Sequence, residues 1–310
     1  MSDYPRDMAG FGPEPPHADW PGAARIAISF VINHEEGAES NILHGDAQSE
    51  RYLCDVGPVE AVPVVGGRDL NIESMFEYGA RAGFWRLRRI FTEADVPVTV
   101  YGVGMALERT PEAAAAMVEA GWEVAGHGYR WIDYRDVSEA VERAHLKQCI
   151  AAIENTTGAR PLGWFSGRRS VHTRCLIVEE GGFLYDSDGY SDDLPYWNTD
   201  HGRPHLVVPY SRNNNDLRFA TGGVYTGGDF FAYLRDSFDT LYAEGAEHPK
   251  MMSIGLHNRL IGRPGRAGAL LRFLDHARSH DGVWFARRRE IAEHWHRRHP
   301  FQAPGERRDT

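Results

Sequence analysis

Apolar residues along this chain come in two rhythms, short unbroken runs of strand length and longer stretches with a helical period, and the two alternate. In the first run, Ala27 and Val31 lie among Ile26, Ile28, Phe30 and Ile32, so the segment reads as a strand buried on both faces. Further runs at 96–104, 122–125, 160–168, 182–188, 205–210 and 251–257 predict six more strands. Helical periods cover 71–94, interrupted near Gly79 and Gly83, then 110–119 with Pro111 in its first turn and 138–156 with Ser138 as a cap. Further helices are expected at 173–181, 228–244, 265–279 and 288–299. Such alternation means βα units, in which parallel strands are joined by right-handed helical crossovers. Periodicity alone fits six strands in an open sheet or seven in a closed barrel.

The polar residues favour the barrel, because they cluster after nearly every strand, as they do where several strand ends converge on one axial site. The first cluster is Asn33, His34, Glu35 and Glu36, closed by Gly37. Two adjacent carboxylates resist being ionised together, so one of them is a candidate proton acceptor; the plain alternative is a solvated acidic turn. Later strand ends contribute His127, Tyr129, Arg130 and Trp131, then Trp164, Ser166 and Arg168. Asp186, Asp188 and Tyr190 follow, then Tyr210, Asn213 and Asn215, and finally His257, Asn258 and Arg259. Acids, two histidines and cationic or amide donors together are what hydrolysis of an amide or ester requires.

Composition narrows the field. The chain has 310 residues, 42% of them hydrophobic, enough for one well-buried core. Its formal net charge of -10 argues against nonspecific binding to nucleic acid or anionic membrane, so the expected partner is a small molecule. Cys54, Cys149 and Cys175 are far apart and form no C-x-x-C, so neither a disulfide framework nor a zinc-thiolate site is expected. No apolar leader or membrane-length run occurs, and a cytoplasmic location is expected. Residues 1–24, rich in Pro and Gly, read as an arm whose YPRD segment (4–7) contacts a neighbouring subunit. Residues 25–300 form one catalytic domain, and 301–310 a tail. The irregular insert at 38–69 is long enough to be a lid or an oligomer contact. No G-x-S-x-G, G-x-G-x-x-G or H-E-x-x-H is present, and His294, His296 and His299 sit among arginines on a terminal helix as a solvated face.

At these clusters the chain resembles the polysaccharide deacetylase (NodB homology) family. The acid pair, HGYRW at 127–131, Arg168 and the Leu256-His257 pair match that family's motifs in order. The resemblance implies a deformed (β/α)7 barrel. Within the family it is much closer to the metal-independent allantoinase subgroup, through ESMFEYGARAG at 73–83, EEGGFLYDSD at 179–188, DDLPYW at 192–197 and KMMSIGLHNRLIGRP at 250–264.

The parent pattern has an Asp-Asp pair, a base and a metal ligand, and a His-x-x-x-His for the other two ligands. Here the acids are Glu35 and Glu36, and Trp131 stands at the second His. An indole cannot replace a zinc ligand. No cofactor is therefore expected, the alternative being a residual divalent ion on His127, a glutamate and His257. The implied reaction is hydrolytic opening of a small cyclic ureide such as allantoin. In that reading Glu35 or Glu36 activates or positions water, His127 stabilises the oxyanion or protonates the leaving nitrogen, and His257 is the alternative acid. Asn33, Arg168, Asp188, Trp131, Tyr190 and Trp197 bind the substrate or shape its pocket. Alternatives are a cyclic imide hydrolase, a metal-dependent N-deacetylase of carbohydrate, and a silent binding module. A homotetramer is implied by resemblance alone.

Overall fold

The computed structural model describes Tyr4, residues 6–56 and residues 62–303. Parts of the YPRD segment, of the 38–69 insert and of the C-terminal tail lie outside the described residues. Among the described residues nine strands form one sheet: β1 (Ile26–His34), β2 (Val98–Gly102), β3 (Glu123–Gly126), β4 (Gly163–Trp164), β5 (Tyr185–Asp186), β6 (Tyr196–Asn198), β7 (His205–Val207), β8 (Lys250–His257) and β9 (Val283–Phe285). The helices are α1 (Leu70–Tyr78), α2 (Phe84–Glu93), α3 (Gly104–Arg109), α4 (Pro111–Glu119), α5 (Glu139–Thr157), α6 (Thr173–Glu180), α7 (Arg218–Thr221), α8 (Gly227–Glu244), α9 (Pro264–Arg278) and α10 (Arg288–Arg298).

The strand order is β6-β7-β5-β4-β3-β2-β1-β8, with β9 beside the first residues of β1. All neighbours are parallel except β6, which runs antiparallel to β7. The sheet curls into the expected deformed barrel. Between β7 and β8 the described residues form no ladder, only a single bridge from Asn215 to Gly255. Gly255 permits that approach: a Cβ there would run into the Asn215 amide and the Tyr210 hydroxyl.

β1 is the central stave, and all nine of its residues are buried. Side chains alternate along a strand. Ile26, Ile28, Phe30 and Ile32 join the large core under the helices, where Phe30 lies 5.0 Å from the Phe91 ring and 6.1 Å from Phe273. A fully buried side chain of this size stabilises the fold by about 1.5–3 kcal/mol. The odd residues face the barrel interior, where Val31 packs with Tyr101, Ala125, Phe165 and Tyr210. Lower in the barrel, Arg288 reaches in from the start of α10 and donates to Ser187 Oγ at 3.0 Å and Ser253 Oγ at 2.8 Å. Its buried charge is thus met by hydrogen bonds, as burial requires.

Several short elements depart from the sequence expectation. β6 and β9 are three-residue edge strands, too short for a period of two to register. α3 and α7, of six and four residues, are equally brief. Residues 79–83 form a π-helical turn between α1 and α2, where the two glycines interrupt the helical period. Among the described residues no helix is long and apolar enough to cross a membrane.

Candidate active site

The alternation of β1 continues past its end and separates the two glutamates. Asn33 and Glu35 turn into the barrel, where both line a cavity at the carboxyl ends of the strands. His34 and Glu36 turn the other way, toward the helices. The His34 ring lies 5.6 Å from that of Phe84, with Nε2 2.8 Å from the Thr110 hydroxyl. Glu36 Oε2 accepts from Asn258 Nδ2 at 2.9 Å, while Oε1 lies where a Cβ on Gly79 would collide with it. Glu36 is buried and does not line the cavity. Gly37, at φ +87°, makes its turn after both carboxylates are already placed.

Glu35 is the centre of the site. Its Oε1 lies 3.2 Å from His127 Nε2 and 3.6 Å from His257 Nε2, and its Oε2 accepts from Arg259 Nη1 at 2.7 Å. Burial works to raise the pKa of this carboxyl, but Arg259, His257 and His127 together outweigh it and hold the group well below the usual carboxylate range. Glu35 is therefore a carboxylate at neutral pH.

Each imidazole is oriented by a partner behind it. His127 Nδ1 lies 2.6 Å from the Phe165 carbonyl, which can only accept, so Nδ1 carries a proton and Nε2 faces Glu35. The ring stacks on Phe165 at 5.2 Å. His257 Nδ1 lies 2.6 Å from Asp216 Oδ1, and Asp216 Oδ2 accepts the backbone N–H groups of His257 and Ile261 at 2.7 and 3.0 Å. Asp216 thus fixes both the backbone and the ring of His257, directing Nε2 into the cavity. The Asn215–Gly255 bridge brings Asp216 to β8.

The cavity, with the solvent-filled space at its mouth, takes up about 380 Å³. Phe165, Tyr210 and Trp131 supply aromatic wall, and Tyr52 and Leu53 of the insert complete it. Arg168 and Arg212 stand at the rim, where the cavity opens on a wider groove between residues 46–56 and 132–137. Arg168 donates to the Trp131 carbonyl at 2.9 Å and lies 4.4 Å from the Trp131 ring centroid; Arg212 donates to Tyr52 Oη at 2.9 Å. Leu53 has φ +51°, uncommon for a residue with a side chain, and its carbonyl accepts from Arg259 Nε at 3.2 Å. One guanidinium therefore ties the insert to the central carboxylate.

Of the ten residues expected from sequence, Asn33, Glu35, His127, Trp131, Arg168, Tyr190 and His257 line this cavity. Three do not. Glu36 is turned away as described. Asp188 is spent on backbone: its two oxygens accept the N–H groups of Ser166 and Gly167 at 2.8 and 2.9 Å, so it supports the loop that carries Arg168. Its pKa is pushed up to about 6 by burial and by neighbouring Asp186. Trp197 sits on the edge strand β6, where Nε1 donates to the His299 carbonyl at 2.8 Å, against α10 rather than the pocket. Sequence reasoning missed Asp216, although it singled out Asn213 and Asn215 in the same NNND run. It included Arg259 among the strand-end residues without giving it a role.

Glu36 faces away, Trp131 has no lone pair to give, and Glu35 is already paired with Arg259. Among the described residues, the one set of three His, Cys, Asp or Glu ligand atoms lying mutually within 4.8 Å is elsewhere, at Asp239, His276 and His280.

Comparison with known proteins places this site in context. A protein of Schizosaccharomyces pombe carrying a polysaccharide deacetylase name is 41% identical over 319 residues, covering 96% of this chain and 99% of its own. The chain belongs to the polysaccharide deacetylase family. The family profile, described as polysaccharide deacetylase, matches residues 67–176. A crystal structure from Pseudomonas aeruginosa PAO1, also named as a polysaccharide deacetylase, is 56% identical with a TM-score of 0.94, covering 96% of this chain and all of that one. A crystal structure of PuuE allantoinase is likewise 56% identical with a TM-score of 0.94, over 97% of this chain and 100% of its own. The family assignment makes this chain a hydrolase of carbon–nitrogen bonds.

Proposed function

We propose that this protein opens a small cyclic ureide, allantoin or a ring like it, by hydrolysis of a ring amide without a metal. The observation that carries the reading is the seating of Glu35 between two imidazoles and a guanidinium, in a cavity with aromatic walls. The likeness to PuuE allantoinase over nearly the whole chain supports it.

A carboxylate held far below the usual range is a weak base, since a general base works best with a pKa near the working pH. In this reading Glu35 therefore orients the water and stabilises positive charge on His127 and the imidazolium that His257 becomes. His257, backed by Asp216, is the proton carrier. A water between Glu35 Oε1 and His257 Nε2 gives its proton to Nε2 as its oxygen attacks the ring carbonyl. His127 stabilises the oxyanion. The imidazolium of His257 then protonates the leaving ring nitrogen as the carbon–nitrogen bond breaks, giving one open chain that carries both the freed ureido or amide nitrogen and a new carboxylic acid, which releases its proton to solvent. Arg168 and Arg212 hold carbonyl or ureido oxygens through their planar forks, and Trp131 and Phe165 wall the ring.

The test is a substrate panel of allantoin, hydantoin, succinimide and N-acetylated chitooligosaccharide, each followed for the new carboxylate or for acetate. Ring opening of allantoin at the highest kcat/KM supports the proposal. Preference for succinimide would move the protein to imide hydrolysis, and acetate release alone would return it to deacetylation.

A further inference from the structure

The outer helices α8 and α9 pack against each other, and one end of their contact is polar. Asp239 on α8 faces His276 on α9, with Nε2 2.7 Å from Asp239 Oδ1, and His280 follows four residues later, just past the end of α9. One potential ligand atom from each of the three lies within 4.8 Å of the other two. None of these residues lines the catalytic cavity.

The geometry points to a surface site for one zinc-like divalent ion held by Asp239, His276 and His280. Two imidazoles and one carboxylate are donors that a borderline ion takes, with a water left in the fourth position. The ring of His280 is set for the role: Nδ1 lies 2.9 Å from the His276 carbonyl, which only accepts, so the proton sits on Nδ1 and Nε2 keeps a free lone pair. A backbone carbonyl behind the second ring nitrogen is the usual support of a metal-binding histidine. Phe238 backs both rings at 5.4 and 5.1 Å, and Tyr242 backs His280 at 5.0 Å, so little side-chain freedom is left to lose on binding. The side chains of His276 and Asp239 are 23% and 48% exposed, so an ion can reach them from solvent. Bringing donors from 4.8 Å to the spacing around one ion needs only a small rotation of side chains at a helix end. An ion here would clamp α8 to α9, and it would appear in a metal analysis of the protein without serving the cavity.

The competing account is a plain His–carboxylate hydrogen bond beside a histidine that caps the last turn of α9. Calorimetric titration of the chelator-stripped full chain with zinc chloride separates the two. The site predicts one ion per chain in the wild type, loss of that binding in His276→Ala and His280→Ala, weakened binding in Asp239→Asn, and hydrolytic rates unchanged in all three. It also predicts a zinc-dependent rise in melting temperature that His280→Ala abolishes, because ligands of the native state stabilise it. Absence of one-to-one binding in the wild type, or equal binding by the three variants, would overturn it.

Discussion

Replacing Arg259 by methionine tests the electrostatics of the cavity floor. Arg259 is fully buried, donates to Glu35 at 2.7 Å, and lies 3.7 Å from Glu36 Oε1. At an effective dielectric constant of about 20, unit charges about 4 Å apart interact by about 4 kcal/mol. Loss of that interaction is worth roughly a thousandfold in the ionisation constant of the Glu35 carboxyl, at about 1.4 kcal/mol per tenfold. A group whose folded pKa is depressed contributes stability that is fully present above its unfolded value, near 4.3, and is lost as pH falls toward the folded one. In the wild type, Glu35 therefore brings no acid limb to kcat/KM in the ordinary carboxylate range. In Arg259→Met, burial acts on Glu35 with only the histidines to oppose it, so a limb should appear above pH 4. Breaking one side of a buried pair should also destabilise the fold by about 3–5 kcal/mol. The assay is a pH profile of ring opening for wild type, Arg259→Met and Arg259→Lys, with melting temperatures alongside; the lysine variant keeps the charge and should restore much of the wild-type profile. An unchanged acid limb in a folded Arg259→Met protein would refute the assignment of Arg259 as the group that keeps Glu35 ionised.

Further outcomes follow from the same geometry. Asp216→Asn leaves the volume of the site intact but removes the acceptor that orients His257, so kcat should fall by about 100- to 10,000-fold with KM little changed, as steady-state kinetics will show. Glu35→Gln should lose activity on that scale, whereas Glu36→Gln, facing away from the cavity, should lose less than about tenfold; comparable losses in both would mean that the second carboxylate reaches the chemistry. Gly83→Ala would push a Cβ into the Asn258 carbonyl beside the π-helical turn. A clash of that kind costs about 1–3 kcal/mol, and since roughly 2–4 °C accompanies each kcal/mol in larger domains, thermal unfolding should occur several degrees lower.

The fold was legible because buried parallel strands announce themselves as apolar runs, and helices between them by their period. Strands of two or three residues such as β6 and β9 carry no period to read. The site was legible where polar residues stop a buried strand, which is why His127, Arg168 and His257 stood out. The sequence left open which of Glu35 and Glu36 serves the chemistry; strand alternation continued past β1 puts them on opposite sides, and the turn at Gly37 comes after both. Asp216 was hidden because it follows a loop, and nothing local reveals that Gly255 lets that loop dock against β8. Trp197 and Asp188 misled for the complementary reason: an aromatic or an acid near a strand end can serve packing or backbone amides as readily as substrate. The insert could be flagged by its length, but that Tyr52 and Leu53 fold back over the cavity is a tertiary fact.

The most direct test of the central claim is the rate of allantoin ring opening by protein stripped with a strong chelator, before and after zinc is returned, with the metal content measured at each stage. The account predicts that the stripped protein keeps its full rate, and that zinc bound at Asp239, His276 and His280 changes the metal content without changing turnover. A rate that vanishes on stripping and returns with zinc, including in the His276→Ala variant, would contradict it and place a metal in the cavity.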